Sequence, residues 1–332
     1  MKILHVLPTR LPIPPTEYGG TERVVWALMQ FQRENGHQVR LLVNKNVNHR
    51  LDTQEYNLKQ PISAQVDGWA DIIHFHYPFK GDIATPHLCT EHGNHDDPNY
   101  TYPLNTIFLS KQHAQNYNAQ TYVHNGLYWA DYGDPNLRTP PSATPYIHFL
   151  AKASWRVKNL SGAIKIAKKS PYPLHILGGH RLSLKRHKYL HLSPRLKFHG
   201  MVGGARKNEL IKHSSALLFP VLWHEPFGLA VIESLYLGCP VFASPYGSLP
   251  ELINDDALGL LSTSSQQLSQ ALHHLHHYDR RACHHHAKTH FNHQIMGARY
   301  QQNYQRILDG ETLNPHPPKR QPNLPTQLPL YD

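Results

Sequence analysis

The chain has 332 residues, 40% of them hydrophobic, and its three cysteines are widely spaced without a CxxC pair. This length allows two domains, the lack of an apolar run of roughly 18 residues excludes a bilayer-spanning helix, and the cysteine spacing argues against a disulfide framework. A formal net charge of +10 at pH 7 favours an anionic partner, such as a nucleic acid, a membrane surface or a phosphorylated ligand. We therefore expect a cytoplasmic protein of two domains.

Predicted strands and helices alternate through the first half of the chain. Residues 2–8 predict a buried strand, and the apolar residues that follow Thr21 recur at helical spacing, with Thr21 as the N-cap and Gly36 just beyond the helix. The strand HQVRLLVNK completes a βαβ unit. Further strands are predicted in DIIHFHYP, HLCTEHG, TIFLS and TYVHNG, so we expect a mainly parallel sheet with helices on both faces.

The same alternation restarts after a Pro-rich, polar stretch at 131–146, which we interpret as a linker. The pattern predicts an N-terminal domain at 1–135, a C-terminal domain at 146–290, and a helix at 291–308 that packs back on the first domain. The tail, 310–332, carries many prolines and no periodic core pattern. We expect it to be disordered or draped over the surface.

Two glutamates stand eight positions apart in HEPFGLAVIESLYLGCP. Glu225 precedes a Pro-Phe-Gly turn, and a helix starting near 228 leaves the backbone N–H groups of Phe227, Gly228 and Leu229 unpaired, which favours phosphate binding. Glu233 lies in the second turn of that helix. Two carboxylates around a phosphate-binding turn suit a nucleotide-sugar, because one can bind the hydroxyls of the transferred sugar and the other the ribose diol.

These residues resemble the E-x7-E motif of GT-B glycosyltransferases, and the chain looks like a member of the retaining family 4, also described as glycosyl transferases group 1. The resemblance covers about 300 residues, from Ile3 to Leu308. It implies the GT-B fold, in which two Rossmann-like α/β domains face each other across a cleft. The first domain is then expected to bind the acceptor, and the second the donor.

Positions in the first half match the same family in the expected order. YGGTERVV resembles its glycine-rich loop, which implies that Gly19 and Gly20 approach the donor. CTEHGNH resembles its T-x-H-G segment, which implies that His92 contacts the transferred sugar or the acceptor. DIIHFHYP resembles a D-x-x-H-x-H strand, which implies that His76 lies near the cleft.

The basic segment LAKASWRVKNLSGAI matches the cationic clamp with which the family binds the diphosphate, with changes. Lys152 stands where the family has arginine, Ala151 replaces the preceding glycine, and Lys158 follows six residues after Lys152. Lysine keeps the positive charge but lacks the bidentate fork of arginine. Arg156 adds a third cation, so we expect that its removal weakens nucleotide binding nearly as much as removal of Lys158.

The segment SPYGSLPELI resembles the part of the family that follows the glutamate motif, which implies that the backbone at Gly247 lies near the donor. Ser248 and Glu251 also predict a capping box around Pro250, in which each side chain bonds to the backbone N–H of the other. We therefore expect a short helix after Ser248.

The resemblance implies retention of anomeric configuration and transfer from a UDP-sugar, or less commonly a GDP-sugar, to a glycan, lipid-linked or small-molecule acceptor. It implies no required cofactor and no metal, since the nucleotide-sugar is a substrate. The cations and the helix N-terminus would stabilise the leaving diphosphate. Catalytic roles fall to His92, Glu225, Lys152 and Lys158, and donor binding falls to Gly19, Gly20, Arg156, Phe227, Gly228, Leu229 and Glu233.

Several other functions share some of these sequence features. A GT-B protein could bind a nucleotide-sugar without transferring it, or could act as a sugar-nucleotide epimerase. A nicotinamide-dependent dehydrogenase requires GxGxxG after its first strand, which PTRLPIPPTEYGG lacks. A nucleic-acid-binding protein would cluster Lys and Arg beside stacking aromatics, whereas here the cations are spread through both halves. The charge instead fits phosphates in the cleft and peripheral contact with an anionic membrane.

Histidine is abundant, with 28 residues, and is concentrated in HHLHHYDRRACHHHAKTH at 273–290. His273 and His277 stand four residues apart and could share a helix face, as metal ligands do. No HExxH pattern accompanies them. We therefore predict a polar helix surface and no metal site.

Overall fold

A computed structural model describes residues 1–44, 53–57, 59–66, 68–183 and 189–332. The chain forms two compact units. The first comprises Met1–Tyr128 and Phe291–Leu324, and the second comprises Trp129–His290 and Pro325–Asp332. Within those described ranges, no helix has both the length and the apolar composition needed to cross a membrane.

The secondary structure alternates between strands and helices in both units. The strands are β1 (Lys2–Leu7), β2 (Gln38–Asn44), β3 (Thr53–Tyr56), β4 (Ile72–Phe75), β5 (His87–Thr90), β6 (Thr106–Ile107), β7 (Ile147–Leu150), β8 (Leu174–Leu177), β9 (Leu182–Ser183), β10 (Tyr189–Leu190), β11 (Leu196–Phe198), β12 (Leu217–Phe219), β13 (Val241–Ala243) and β14 (Gly259–Leu261). The α-helices are α1 (Gly20–Glu34), α2 (Lys111–Asn116), α3 (Leu160–Lys168), α4 (Gly204–Lys212), α5 (Leu229–Tyr236), α6 (Leu249–Leu252), α7 (Ser265–Leu272), α8 (Arg280–His290) and α9 (His293–Leu308).

Each unit is built on a parallel sheet. In the described part of the first unit six strands follow the order β3-β2-β1-β4-β5-β6, and in that of the second the order is β11-β8-β7-β12-β13-β14. Strands β9 and β10 form a separate antiparallel pair. The predicted α/β class with two parallel sheets is confirmed.

Strand β1 shows why these strands are apolar on both sides. Successive side chains of a strand point to opposite faces. Leu4 and Val6 pack with Phe75 in one core, whereas Leu7 packs with Met29 of α1 in another. Both faces of β1 are therefore buried, as in other parallel sheets that are covered by helices.

Helix α1 begins earlier than predicted, and Thr21 is not its N-cap. The N-cap is Gly19, without a side-chain capping bond. Gly19 has φ 154°, and a Cβ atom added there would lie 2.8 Å from Cβ of Pro15. This turn therefore requires glycine. The prediction for Gly36 is confirmed, since it follows the C-cap Asn35 with φ 75°.

Two local predictions are wrong, and a short strand lies where none was predicted. The strand predicted at 121–126 is absent from the described structure, where Tyr122 forms only an isolated bridge with Phe108. Strand β14 was not predicted, because three residues that begin with glycine carry no alternation. The capping box also fails: α6 does begin after Ser248, but the Ser248 hydroxyl donates to the carbonyl of Phe227 instead of capping α6.

The C-terminal tail pairs with the surface of each unit through its backbone. In the first unit the N–H of Lys319 donates to the carbonyl of Tyr117 at 2.8 Å. In the second unit the N–H of Leu328 donates to the carbonyl of Leu222 at 2.8 Å, and Leu330 packs against the core. The tail is therefore part of both units.

Candidate functional site

Glu225 lies in the loop between β12 and α5 of the second unit and is held by two side chains. Lys158 donates from Nζ to both carboxylate oxygens, at 2.8 and 2.6 Å, and the Trp223 indole donates to Oε2 at 2.7 Å. The side chains of Lys158 and Glu225 are only 12% and 7% exposed. Because little water competes at such a site, the carboxylate is fixed in one orientation.

The topology of the second sheet explains why these residues meet. Lys158 follows β7 and Glu225 follows β12, and these two parallel strands are neighbours at the point where the strand order reverses. In open α/β sheets, ligands bind beyond the carboxyl ends of the strands at such a point. The amide of Asn159 fastens the two loops together, since it donates to the carbonyl of Pro220 at 2.9 Å.

The turn before α5 adopts a conformation that suits glycine. Gly228 is the N-cap of α5, with φ 99° and ψ 62°, and Leu229 is the first helical residue, one later than predicted. Phe227 is buried. The first N–H groups of a helix lack intrahelical partners and carry the positive end of its dipole, so this turn can accept an anion.

The backbone at Gly247 supports Glu225 from the other side. Gly247 has φ 66°, and an added Cβ atom would lie 2.2 Å from the carbonyl oxygen of Glu225 and 2.3 Å from its nitrogen. The N–H of Ser248 donates to that same carbonyl at 2.9 Å. The main chain of Glu225 is therefore positioned by a contact that excludes any side chain at 247.

Glu233 is held by partners that the sequence motif does not include. Lys207 of α4 forms a buried ion pair with it, and the Tyr132 hydroxyl donates to its Oε1 at 2.6 Å. The Glu233 and Lys207 side chains are 7% and 6% exposed. Lys207 lies 26 residues before Glu233, so no local pattern could have indicated this contact.

The remaining cations of the predicted clamp lie on the loop that carries Lys158. Lys152 and Arg156 are exposed, and Nζ of Lys152 lies 5.8 Å from the centre of the Trp155 indole. Arg156 and Lys158 belong to the same short 3-10 helix. The structure therefore places one clamp cation on Glu225 and two at the surface.

In the first unit, Gly19 and Gly20 begin α1 beside a buried carboxylate. The Thr9 hydroxyl donates to Oε1 of Glu22 at 2.6 Å, and Oε2 of Glu22 lies 3.0 Å from the position that a Gly19 Cβ atom would take. The loop before α1 therefore passes close to an acidic side chain, which the sequence pattern did not indicate.

Four histidines lie together at the carboxyl end of the first sheet. His5 of β1 and His74 of β4 are in register, and His76 and His92 follow β4 and β5. His76 lies between two of the others: its Nε2 is 2.9 Å from Nδ1 of His5, and its Nδ1 is 3.0 Å from Nε2 of His92. His92, the predicted ligand-binding residue, thus joins a buried polar network.

Burial keeps these histidines neutral. It lowers the pKa of His5 and of His92 to about 4, and it lowers the pKa of His74 and of His76 well below the usual value. Neighbouring histidines add to the effect for His74 and His76 because their charges would repel. At neutral pH each ring therefore carries one N–H group.

Ring nitrogens of His5, His74 and His76 lie within 4.8 Å of one another, which raises the question of a metal. All six nitrogens already have hydrogen-bond partners: Tyr304 and Thr90 for His74, Gln32 and His76 for His5, and His5 and His92 for His76. A cation would have to break these bonds, so the donor set fits a hydrogen-bond network better.

The His-rich stretch brings together a different set of residues from the one predicted. His274, His276 and His277 group at the surface, whereas Nε2 of His273 lies 3.1 Å from the carbonyl of Lys169. The exposed trio is the second place, among the described residues, where three such side chains converge.

The second unit matches a known protein family, and the whole chain is similar in fold to solved structures. Residues 138–288 match the family described as "Glycosyl transferases group 1". A Klebsiella pneumoniae protein described as "Uncharacterized 41.2 kDa protein in cps region" is 33% identical over 104 residues. That alignment spans 31% of this chain and 27% of the length of that curated relative.

Solved structures are similar over nearly the whole chain. AviGT4, a glycosyltransferase involved in avilamycin A biosynthesis, superposes with a TM-score of 0.74 and 20% identity over 94% of this chain and 99% of its own. Anabaena Alr3699/HepE, in complex with UDP and glucose, gives a TM-score of 0.65 and 16% identity over 92% and 99%. The chain therefore has the GT-B fold, and residues 138–288 of its second unit match the glycosyl transferases group 1 family.

Proposed function

We propose that the protein is a retaining family 4 glycosyltransferase that moves a sugar from a nucleotide-sugar to a glycan, lipid-linked or small-molecule acceptor. A UDP-sugar is favoured over a GDP-sugar, because the similar structure from Anabaena is a complex with UDP and glucose. The observation that carries the proposal is the Glu225 carboxylate. Lys158 and Trp223 hold it where two neighbouring strands end, next to the N-terminus of α5 and inside the matched domain.

In this reaction the second unit binds the donor. Glu225 accepts hydrogen bonds from hydroxyls of the transferred sugar, and the turn before α5 directs backbone N–H groups at the diphosphate. Departure of the nucleoside diphosphate builds negative charge, which Lys152, Arg156 and Lys158 stabilise. The acceptor attacks on the face that the leaving group vacates, and a phosphate oxygen takes its proton, so the configuration is retained and no metal is required.

Glu233 is proposed to bind the ribose hydroxyls without losing its protein partners. A carboxylate offers about four acceptor sites. Lys207 and Tyr132 fix its orientation, and the ribose hydroxyls are proposed to donate to the same carboxylate. Lys207 also offsets the cost of burying this carboxylate.

The test is a panel of UDP-, GDP- and ADP-sugars, measured without added metal by thermal shift and by release of nucleoside diphosphate. We expect one nucleotide class to raise the melting temperature of the wild type. Glu225→Gln keeps the shape of the side chain but loses its charge, so transfer should fall by about tenfold or more. Glu209→Gln is the matched control, because Glu209 is an exposed partner of Lys212 on α4.

Each result of the panel has a distinct meaning. Failure of all three nucleotide classes to bind would overturn the proposal. Binding without release of nucleoside diphosphate to any acceptor tested would support a nucleotide-sugar-binding protein instead. Conversion of the sugar while it stays on the nucleotide would indicate an epimerase. Loss of transfer on addition of EDTA would contradict the metal-independent mechanism.

We also propose that the protein works in the cytoplasm and touches anionic membranes peripherally, where a lipid-linked acceptor would lie. The net charge of +10 supports this, because basic proteins are attracted to anionic lipid surfaces. Co-sedimentation with phosphatidylserine vesicles should decrease as salt is added and should be absent with phosphatidylcholine vesicles. Equal binding to both lipids, or to neither, would contradict it.

A further inference from the structure

A continuous chain of hydrogen bonds runs from His92 into the interior of the first unit. Nε2 of His92 lies 3.0 Å from Nδ1 of His76, Nε2 of His76 lies 2.9 Å from Nδ1 of His5, and Nε2 of His5 lies 2.7 Å from Oε1 of Gln32. Gln32, His5 and His76 are buried. Because these three side chains are buried, their hydrogen bonds lie in a low-dielectric environment and reinforce one another.

Gln32 sets the direction of this chain of hydrogen bonds, because one end of its amide can only accept and the other can only donate. Its NH₂ group donates to the Tyr304 hydroxyl at 3.2 Å, so its carbonyl oxygen faces His5 and can only accept. Nε2 of His5 therefore carries the hydrogen, and Nδ1 of His5 accepts from His76. By the same rule Nδ1 of His76 accepts, and the donor to it is Nε2–H of His92.

The alternation requires neutral rings, since a protonated imidazole donates from both nitrogens. Burial provides this condition, because it holds the pKa of His5 and of His92 to about 4 and that of His76 well below the usual value. Each neutral ring has one donor and one acceptor nitrogen. The nitrogen that carries the hydrogen in one ring therefore determines which nitrogen carries it in the next ring.

A second arm of the network holds Tyr304 in place. The Tyr304 hydroxyl accepts from Gln32 and donates to Nδ1 of His74 at 2.8 Å. Nε2–H of His74 then donates to the Thr90 hydroxyl at 2.7 Å, and that hydroxyl lies 3.1 Å from the Tyr300 hydroxyl. Rotation of the Gln32 amide would reverse every hydrogen bond between His92 and Thr90, so Gln32 is the group that decides the direction.

We infer that Gln32, His5 and His76 are positioning residues that hold His92 in one tautomer, with Nε2 protonated and Nδ1 unprotonated. Nδ1 of His92 has no hydrogen-bond partner within the described chain, and as a bare nitrogen it accepts a hydrogen bond from a hydroxyl of the bound sugar. The identity of that ligand rests on the proposed glycosyltransferase function. The tautomer rests on the network alone.

The experiment is long-range ¹H–¹⁵N correlation NMR of the full-length protein with ¹⁵N-labelled histidine, at neutral pH and without ligand. The spectrum of His92→Asn identifies the His92 signals by their loss. We expect a pyridine-type shift for Nδ1 of His92 and a pyrrole-type shift for Nε2. A protonated Nδ1, or averaged shifts that show both tautomers, would overturn the inference.

Two variants test whether the network causes this state. Gln32→Met keeps the length of the side chain but removes the acceptor for His5, and Tyr304→Phe releases the Gln32 amide. Both should move the His92 shifts towards a mixture of tautomers while the protein stays folded by circular dichroism. Tyr300→Phe is the matched control, because it removes a hydroxyl at the end of the other arm and should leave the His92 shifts unchanged.

The result is informative even if one variant fails to fold, because Gln32→Met and Tyr304→Phe act on the same bond from opposite ends. Unchanged His92 shifts in either folded variant would show that Gln32 does not set the tautomer. The spectra need no donor, so they remain valid if the panel of nucleotide-sugars fails. If the panel succeeds, Gln32→Met should lower transfer while Tyr300→Phe does not.

Discussion

The candidate donor site depends on two contacts of a single residue, Glu225. Gly247 lies against the backbone of Glu225, and Lys158 shares its ammonium between both oxygens of that carboxylate. These two contacts fix the main chain and the side chain of Glu225 separately. They can be tested separately as well.

We expect Gly247→Ala to reduce transfer and to lower the free energy of unfolding by more than the roughly 1–2 kcal/mol that a left-handed alanine costs. The added Cβ atom would lie 2.2 Å from the Glu225 carbonyl oxygen, so the backbone must move. Gly310→Ala is the control: Gly310 also has positive φ, at 86°, but nothing lies within 4 Å of its added Cβ atom. Equal losses in urea unfolding of both variants would contradict the predicted clash.

The buried pair of Lys158 and Glu225 should contribute more coupling energy than a surface pair. A double-mutant cycle with Lys158→Met and Glu225→Gln, measured by urea unfolding, should give more than about 1 kcal/mol, because a buried charge without its partner is costly. The same cycle on Lys212 and Glu209, whose side chains are 29% and 58% exposed, should give about 0.3–0.5 kcal/mol. Coupling of similar size in the two cycles would contradict the prediction.

The sequence indicates Lys158 and Glu225 because each belongs to a spaced motif in a loop that follows one of two neighbouring strands. No motif of this kind identifies Lys207, Tyr132 or Gln32. Their contacts depend on how a helix or loop lies beside a distant element, and a single lysine, tyrosine or glutamine has no spacing that marks it. Motifs therefore locate the candidate site, while the groups that orient its side chains come from tertiary packing.

Among the elements, helices α1 and α9 pack against each other at a glycine that leaves no space for a side chain. Gly297 of α9 faces Phe31 of α1, and an added Cβ atom would lie 2.1 Å from the Phe31 ring. This contact places Tyr300 and Tyr304, one and two turns further along α9, over the histidine network. The glycine therefore serves helix packing, since its backbone conformation is one that any residue adopts.

Gly297→Ala should destabilise the protein although alanine favours helix by about 1 kcal/mol over glycine. The clash with Phe31 outweighs that gain, and we expect a net loss of about 1–3 kcal/mol by analogy with other overpacked cores. Gln302→Ala, at an exposed position of α9, is the control and should be nearly neutral. A rise in melting temperature for Gly297→Ala would contradict the predicted packing.

Most elements follow from periodicity, because buried strands and amphipathic helices carry their pattern locally. Residues 121–126 have strand-like composition but gain only an isolated bridge at Tyr122, since pairing is decided by neighbours and not by propensity. Strand β14 has only three residues, and it forms by parallel pairing with β13. The sequence at Ser248 is typical of a capping box, but the Ser248 hydroxyl donates its hydrogen bond to the carbonyl of Phe227.

At the scale of the whole molecule, neutral buried histidines make stability depend on pH. Besides the network in the first unit, burial lowers the pKa of His148 to about 3 and that of His175 to about 4 in the second. In the unfolded chain these groups bind a proton near pH 6.5. The stability they provide is therefore complete above pH 6.5 and is lost as the pH falls towards the folded pKa values.

We expect the free energy of unfolding to fall between pH 6.5 and about 4, by about 1.4 kcal/mol per pH unit for each additional proton that the unfolded state binds. His148→Gln should be less stable at neutral pH, because it loses the bonds to Ser214 and Ser234, but its dependence on pH should be shallower by one proton. Urea titrations across this range measure both. A flat profile for the wild type would contradict the prediction.

The tail has a practical consequence for anyone who divides the chain. The second unit is discontinuous, because its last piece, Pro325–Asp332, arrives from beyond helix α9. A fragment cut to the matched domain, 138–288, would lose the Leu330 contact with the core and the backbone bonds of Tyr331 to Thr263 and Ser265. We therefore expect a fragment of residues 129–290 to aggregate when it is produced alone, and a synthetic peptide of residues 325–332 to restore its solubility by completing the second unit.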